Sequence, residues 1–151
     1  MTSTRTTGFN HVATLTPDLD RYLAFYGDVF GAQVVHEMAA EHDHPRMAIV
    51  DMGNGASLNV FEVAAESIVG DRARIGGRGP IDHYALMCDG PESLVAIRDR
   101  LLELDATPGV ITDFGTELSV FFRDPDGAEL EICCVKPEDY EGEAHPPGAD
   151  F

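Results

Sequence analysis

Four residues able to serve one metal centre stand at matched intervals in this chain of 151 residues: His11, Asn59, His83 and Glu131. The two histidines are separated by the same interval as Asn59 and Glu131 (83 − 11 = 131 − 59 = 72). The surroundings repeat as well, because Gly55-Ala56-Ser57-Leu58-Asn59 returns at that offset as Gly127-Ala128-Glu129-Leu130-Glu131. Imidazole and carboxylate are good ligands for a divalent cation, and a short amide is a weak one. A lone histidine is more often a hydrogen-bonded core residue than a ligand. Two at repeat-equivalent places, with a carboxylate in register, favour a metal site held by His11, His83 and Glu131. Asn59 is expected to orient a bound water or substrate by hydrogen bonding rather than to ligate.

The elements that must position these residues follow from periodicity. Phe9, His11, Ala13 and Leu15 alternate with Val12 over 8–16, the pattern of a strand. Thr16 and Pro17 open a helix whose Leu19, Tyr22, Leu23, Tyr26 and Phe30 follow helical spacing, and Gly31 ends it. Strands are expected at about 32–40, 46–52 and 56–63, with Gly53-Asn54-Gly55 as a tight hairpin turn. The order then repeats. Ile81, His83, Ala85 and Met87 alternate, and Gly90-Pro91-Glu92 opens a helix striped by Leu94, Ile97, Leu101 and Leu104. Strands near 108–113 and 117–123 lead through the turn Asp124-Pro125-Asp126-Gly127 into a last strand at 128–135.

The predicted fold class is therefore α+β, built from a βαβββ module at 8–63, a connection at 64–80 rich in glycine, and a second βαβββ module at 81–135. An acidic, proline-containing extension at 136–151 is expected to be mobile or to drape over a partner. Strand parity puts His11, Asn59, His83 and Glu131 on one kind of face. Leu58 with Val60, and Leu130 with Ile132, form apolar opposite faces that should pack under the helices. Glu62 has the wrong parity for a ligand.

Composition narrows the function. A formal charge of −17, with only 10 Lys and Arg, argues against nucleic acid as a partner. No apolar run is long enough to cross a bilayer, and the first residues lack a signal-peptide core, so a cytoplasmic location is the default with no membrane partner. Cys88, Cys133 and Cys134 make neither a disulfide framework nor a zinc-binding CxxC, which fits a reducing compartment.

The doubled βαβββ pattern, a histidine in the first strand of each half, and Phe121-Phe122-Arg123-Asp124-Pro125-Asp126-Gly127-Ala128-Glu129-Leu130-Glu131 together resemble the vicinal oxygen chelate superfamily over about residues 8–135. That group includes glyoxalase I, extradiol dioxygenases, epimerases and fosfomycin or bleomycin resistance proteins. The resemblance implies sheets folded into a cup around a divalent metal, a small-molecule substrate and a homodimer. With two histidines, one glutamate and a neutral Asn59, Fe(II) is the favoured ion, with Mn(II), Zn(II), Ni(II) or Co(II) as other choices. The expected pocket lining is Phe9, Ala13, Ser57, Asn59, Phe61, Ala85, Met87, Phe121 and Cys133, which suits an aromatic or otherwise hydrophobic molecule.

Three functions stay open at this point. The first is a metal-dependent oxidoreductase of the Fe(II) dioxygenase kind, acting on an aromatic or enolic substrate. The second is a metal-dependent isomerase or lyase of the glyoxalase kind, for which Glu129 is the one inward base. The third is a non-catalytic binding protein of the bleomycin-resistance kind. Extradiol enzymes usually carry a tyrosine where this chain has Phe121, and commonly a further histidine. His36, His42 and His44 are candidates, although Glu41-His42-Asp43-His44-Pro45 reads better as a solvated loop. The scarcity of cations, and Ala13 where a hydroxyl is usual, argue against a phosphonate substrate. Arg98 and Arg123 read as surface charges, and Arg78 could meet an anionic substrate.

Overall fold

A computed structural model describes residues 8–42, 44–68 and 81–148. Most of the expected connection, with Arg78 and its glycines, lies outside the described residues. The chain divides into two compact units, Met1–Ile68 and Val69–Phe151.

In the first unit, β1 (His11–Thr16) is followed by α1 (Leu19–Phe30), β2 (Gln33–Met38), β3 (Met47–Asp51) and β4 (Ser57–Glu62). The sheet order is β1-β4-β3-β2, with β1 parallel to β4 and the other two pairings antiparallel. Leu58 and Val60 of β4 and Val50 of β3 are buried with Leu19, Tyr22, Tyr26 and Val29 of α1. Each such side chain contributes roughly 1.5–3 kcal/mol when taken from water. Tyr22 and Tyr26 stack at 4.4 Å, and the Tyr22 hydroxyl meets Thr14 Oγ1 at 3.1 Å. Two phenols are thereby accommodated in an apolar layer, one with its polar tip in contact with β1.

Asp18, not Thr16, caps α1. Its carboxylate accepts the Arg21 N–H at 3.0 Å, while Thr16 Oγ1 accepts the Asp18 N–H just outside the helix. An ionised carboxylate is the stronger acceptor at the positive helix end, so the start moves two residues on. Glu62 completes this end by accepting the Leu19 N–H at 2.9 Å. Its reversed parity thus serves the helix. Gly31 ends α1 at φ 66°, with its own N–H and that of Ala32 returned to the carbonyls of Gly27 and Tyr26. Val29 rather than Phe30 is the buried residue of the last turn. The β3–β4 turn takes positive φ at Gly53, Asn54 and Gly55, as its composition requires.

The second unit repeats the plan with β5 (Ala85–Met87), α2 (Pro91–Glu103), β6 (Thr112–Asp113), β7 (Glu117–Arg123) and β8 (Glu129–Val135) in the order β5-β8-β7-β6. Leu94 and Leu101 of α2 are buried with Leu118, Val120, Phe122, Leu130 and Ile132, whereas Leu104 lies past the helix end and is exposed. Asp124 shapes the β7–β8 turn: its carboxylate accepts the N–H groups of Asp126 and Ala128, each at 2.9 Å.

Two expectations need correction here. The strand expected around His83 begins only at Ala85, so His83 sits in the extended lead-in. Residues 136–148 are not simply draped: His145 bridges Thr112 in parallel, and its backbone exchanges hydrogen bonds with Ile111 and Asp113 at 2.8 and 2.7 Å. Lys136 also pairs with Asp113 at 2.6 Å. The extension satisfies an otherwise open sheet edge.

Candidate metal centre

Duplication is visible at the level of register. In the first unit Ala13 pairs with Asn59 in the parallel β1–β4 ladder, and in the second Ala85 pairs with Glu131 in the parallel β5–β8 ladder. His11 and His83 each stand two residues before the alanine of their pair. One construction therefore delivers a histidine and its later partner twice.

The second unit brings its two candidates together. His83 Nε2 lies 3.4 Å from Glu131 Oε2, and the glutamate side chain is only 13% exposed. The other ring nitrogen, Nδ1, is 2.7 Å from Asp82 Oδ2. Phe121, opposite Glu131 in the β7–β8 register, sets its ring against His83 at 5.5 Å and 73°. It cannot donate a proton as a tyrosine would, but its ring contact restrains the imidazole plane. Cys133 is buried on the Glu131 face, where burial and then the Glu131 carboxylate push its thiol up to about 12. The thiol stays protonated and unreactive at neutral pH. Cys88, Cys133 and Cys134 are all free.

In the first unit His11 is exposed, with Nδ1 2.8 Å from Asn10 Oδ1. Asn59 lies on the same sheet face, flanked by Ala13 and Ile49 in the ladders. Its Oδ1 is buried without a hydrogen-bond partner among the described residues. An orphaned amide oxygen costs stability, and a donor or cation reaching it relieves that cost. Phe61, two residues on, packs against His44 at 5.8 Å, while His44 Nδ1 meets the Pro45 carbonyl at 2.7 Å. The segment expected to be a solvated loop thus returns one histidine to the lining. Ser57 and Phe61 are half-buried, whereas Phe9 and Met87 are 89% and 63% exposed.

His83 and Glu131 are donor types that a divalent cation accepts. His83 stands between two carboxylates, Asp82 at Nδ1 and Glu131 at Nε2, an arrangement that calls for protons on both ring nitrogens or for a metal at Nε2. Among the described residues no group of three or more His, Cys, Asp and Glu is gathered for an ion. Glu129, the candidate base, is buried and 3.6 Å from Arg123, whose side chain is 57% exposed, as expected of a surface charge. Asn10 and Asp82 escaped the spacing because neighbours in a regular strand point to opposite faces. Both residues precede the regular strand.

The sequence matches the Glyoxalase/Bleomycin resistance protein/Dioxygenase superfamily over residues 8–132. It is 23% identical over 148 residues to a trivalent organoarsenical cleaving enzyme of Bacillus sp. (strain MD1), spanning 92% of this chain and 80% of that one. The fold is similar to the glyoxylase/bleomycin resistance protein/dioxygenase domain from Frankia sp. EAN1pec, with a TM-score of 0.70, 22% identity, and coverage of 87% of this chain and 99% of that one. It is also similar to a fosfomycin resistance protein of Listeria monocytogenes solved with Mn(II) and a dihydroxypropylphosphonic acid. That match has a TM-score of 0.62 and 17% identity over 87% and 95% of the two chains.

Proposed function

Since the chain belongs to the glyoxalase/bleomycin resistance protein/dioxygenase superfamily, we propose that it is a metal-dependent oxidoreductase of the Fe(II) dioxygenase kind. Its substrate in this reading is a small aromatic or enolic molecule, and His11, His83 and Glu131 are the ligands. The observation that carries the proposal is the pairing of His83 Nε2 with Glu131 Oε2 at 3.4 Å, with Asp82 on the far side of the ring. Fe(II) held by such a set would supply open coordination positions and a one-electron couple for dioxygen chemistry on a substrate bearing adjacent oxygens.

The chain's own residues do the rest. Glu131 offsets cationic charge and His83 presents a neutral lone pair. Phe121 keeps the imidazole in plane, and the Asn59 amide oxygen accepts a hydrogen bond from a substrate hydroxyl. The neutral Asn59, and the pairing of Glu129 with Arg123 at 3.6 Å, favour this reading over a glyoxalase-type isomerase, which calls for a carboxylate base at one of those places. The likeness to an organoarsenical cleaving enzyme adds trivalent organoarsenicals to the substrates worth assaying. The working unit in this reading is a homodimer, and His11 comes from the same chain or from the second copy. Exposed apolar residues on β2, Val34 at 47% and Val35 at 60%, support a partner.

The test is elemental analysis of protein purified without an affinity tag, then anaerobic Fe(II) loading and oxygen-uptake assays on catechols, enols and trivalent organoarsenicals. One ion per chain, lost in His83→Ala, with substrate-dependent uptake is expected. Turnover with Zn(II) or Ni(II) in the absence of dioxygen would establish the isomerase instead. No ion under any loading condition would leave a binding protein of the bleomycin-resistance kind.

A further inference from the structure

We infer that Asn10 and Asp82 are positioning residues that lock the two histidines in one tautomer, with Nδ1 protonated and Nε2 free, and that Asp82 makes His83 the stronger donor of the two. The inference rests on the metal-site reading for its purpose, but its geometry stands alone. Asn10 Oδ1 lies 2.8 Å from His11 Nδ1 and Asp82 Oδ2 lies 2.7 Å from His83 Nδ1. The two partners stand at the repeat offset of 72, each immediately before its histidine.

Which atom carries the proton follows from the chemistry of the partners. An ionised carboxylate can only accept, and the single proton of the neutral ring goes to the nitrogen with the nearer carboxylate, Nδ1 at 2.7 Å from Asp82 rather than Nε2 at 3.4 Å from Glu131. At the equivalent place an asparagine could in principle present either its oxygen or its NH2 group. The shared geometry favours the oxygen, and His11 then takes the same form. A free imidazole prefers the opposite tautomer, with the proton on Nε2, so this preference must be imposed by the partner. The contact is available because residues 10 and 82 precede the regular strands, which begin at His11 and Ala85. In a regular strand the two side chains would diverge.

The difference between the copies has a consequence. A carboxylate behind an imidazole holds the ring orientation with a charge-assisted hydrogen bond, which a neutral amide does not provide. Next to Glu131, a ring so held is a fixed donor; His11, exposed and backed by an amide, is the weaker and more easily displaced one.

Imidazole nitrogen NMR on the full-length, metal-free chain at mildly alkaline pH tests the lock directly. Wild type is expected to show both rings protonated at Nδ1. Asp82→Ala should return His83, and Asn10→Ala should return His11, to the Nε2-protonated form, while Asp82→Asn, which keeps an acceptor and the shape, should retain the tautomer. Competition for Co(II) against a chromophoric chelator adds a second readout. Asp82→Ala is expected to weaken binding by about 10–100-fold, Asp82→Asn by less, and Asn10→Ala by less than Asp82→Ala. Rings already protonated at Nε2 in wild type, or tautomers indifferent to both alanine variants, would overturn the inference. So would equal Co(II) affinity in wild type and Asp82→Ala. A wild-type chain that binds no Co(II) would sink the metal-site reading, while the tautomer measurement would still decide this inference.

Discussion

Glu131 Oε2 and His83 Nε2 face each other across 3.4 Å, with Asp82 Oδ2 2.7 Å from the other ring nitrogen. A proton on Nε2 or a metal ion between the two atoms makes that contact favourable, and the proposed centre uses the ion. Glu131→Gln keeps the shape and removes the charge. It should weaken Co(II) binding by about 10–100-fold while leaving thermal stability near wild type or slightly raised. Chelator competition and a melting curve measure both; unchanged affinity would remove Glu131 from the ligand set.

Asn59 makes the complementary case. Its Oδ1 is buried with no hydrogen-bond partner among the described residues, which costs stability. Replacing it with the similarly sized Asn59→Leu should stabilise the metal-free chain by about 1 kcal/mol, because a desolvated acceptor disappears. The same variant should lose substrate affinity or turnover. Stability without function is the mark of a group kept for binding. If the variant is both less stable and equally active, the orphaned oxygen has no such role.

Glu62 separates structure from chemistry. It accepts the Leu19 N–H at 2.9 Å and lies 3.8 Å from Arg46, which also holds Asp20 at 2.6 Å and Glu37 at 2.7 Å. The cap is the valuable part, since the ion pairs are partly exposed. Glu62→Ala should cost about 1–2 kcal/mol in denaturant unfolding, with Co(II) affinity unchanged. A loss of metal binding at intact stability would show that strand parity misjudged this carboxylate.

Much of this was legible in the sequence because duplication supplied two chances to see each signal. The βαβββ order, the apolar strand faces and the pairing of His83 with Glu131 all follow from period and offset. The helix start was misplaced because Thr16 and Asp18 are both good caps, and only the folded backbone chooses between them. Asn10 and Asp82 were invisible for a different reason: strand parity assumes regular backbone, and both sit just outside it. His44 was named only as a candidate in a loop read as solvated, and the strand-like pairing of the C-terminal extension was missed, because both depend on contacts distant in sequence, with Phe61 in one case and with Ile111 and Asp113 in the other.

That extension carries its own prediction. His145 closes the β6 edge with a backbone N–H donated to Ile111 and a carbonyl accepting from Asp113. His145→Pro removes the donor without changing the strands themselves. It should cost about 1 kcal/mol and promote concentration-dependent association through the uncovered edge. Light scattering across a dilution series measures it, and a variant as monodisperse as wild type would show that the edge needs no cover.

Cys133 sets the alkaline limit of stability. Its thiol is raised from the ordinary 9.0 to about 12 by burial first and the neighbouring Glu131 charge second. Below 9 the proton is bound in folded and unfolded chains alike, so this group adds no pH dependence. Between 9 and about 12 the unfolded chain releases the proton and the folded chain keeps it, so stability falls as pH rises, by at most about 1.4 kcal/mol per unit from this thiol. Cys88 and Cys134 are raised too, chiefly by burial, and steepen the fall in the same direction. Urea unfolding of wild type and Cys133→Ala at about pH 8 and about pH 10 isolates the contribution: the wild-type loss should be the larger of the two. Native Cys133 should also resist alkylation at the lower pH and react only after unfolding. Equal losses, or rapid native alkylation, would mean that this thiol is neither desolvated nor under the influence of Glu131.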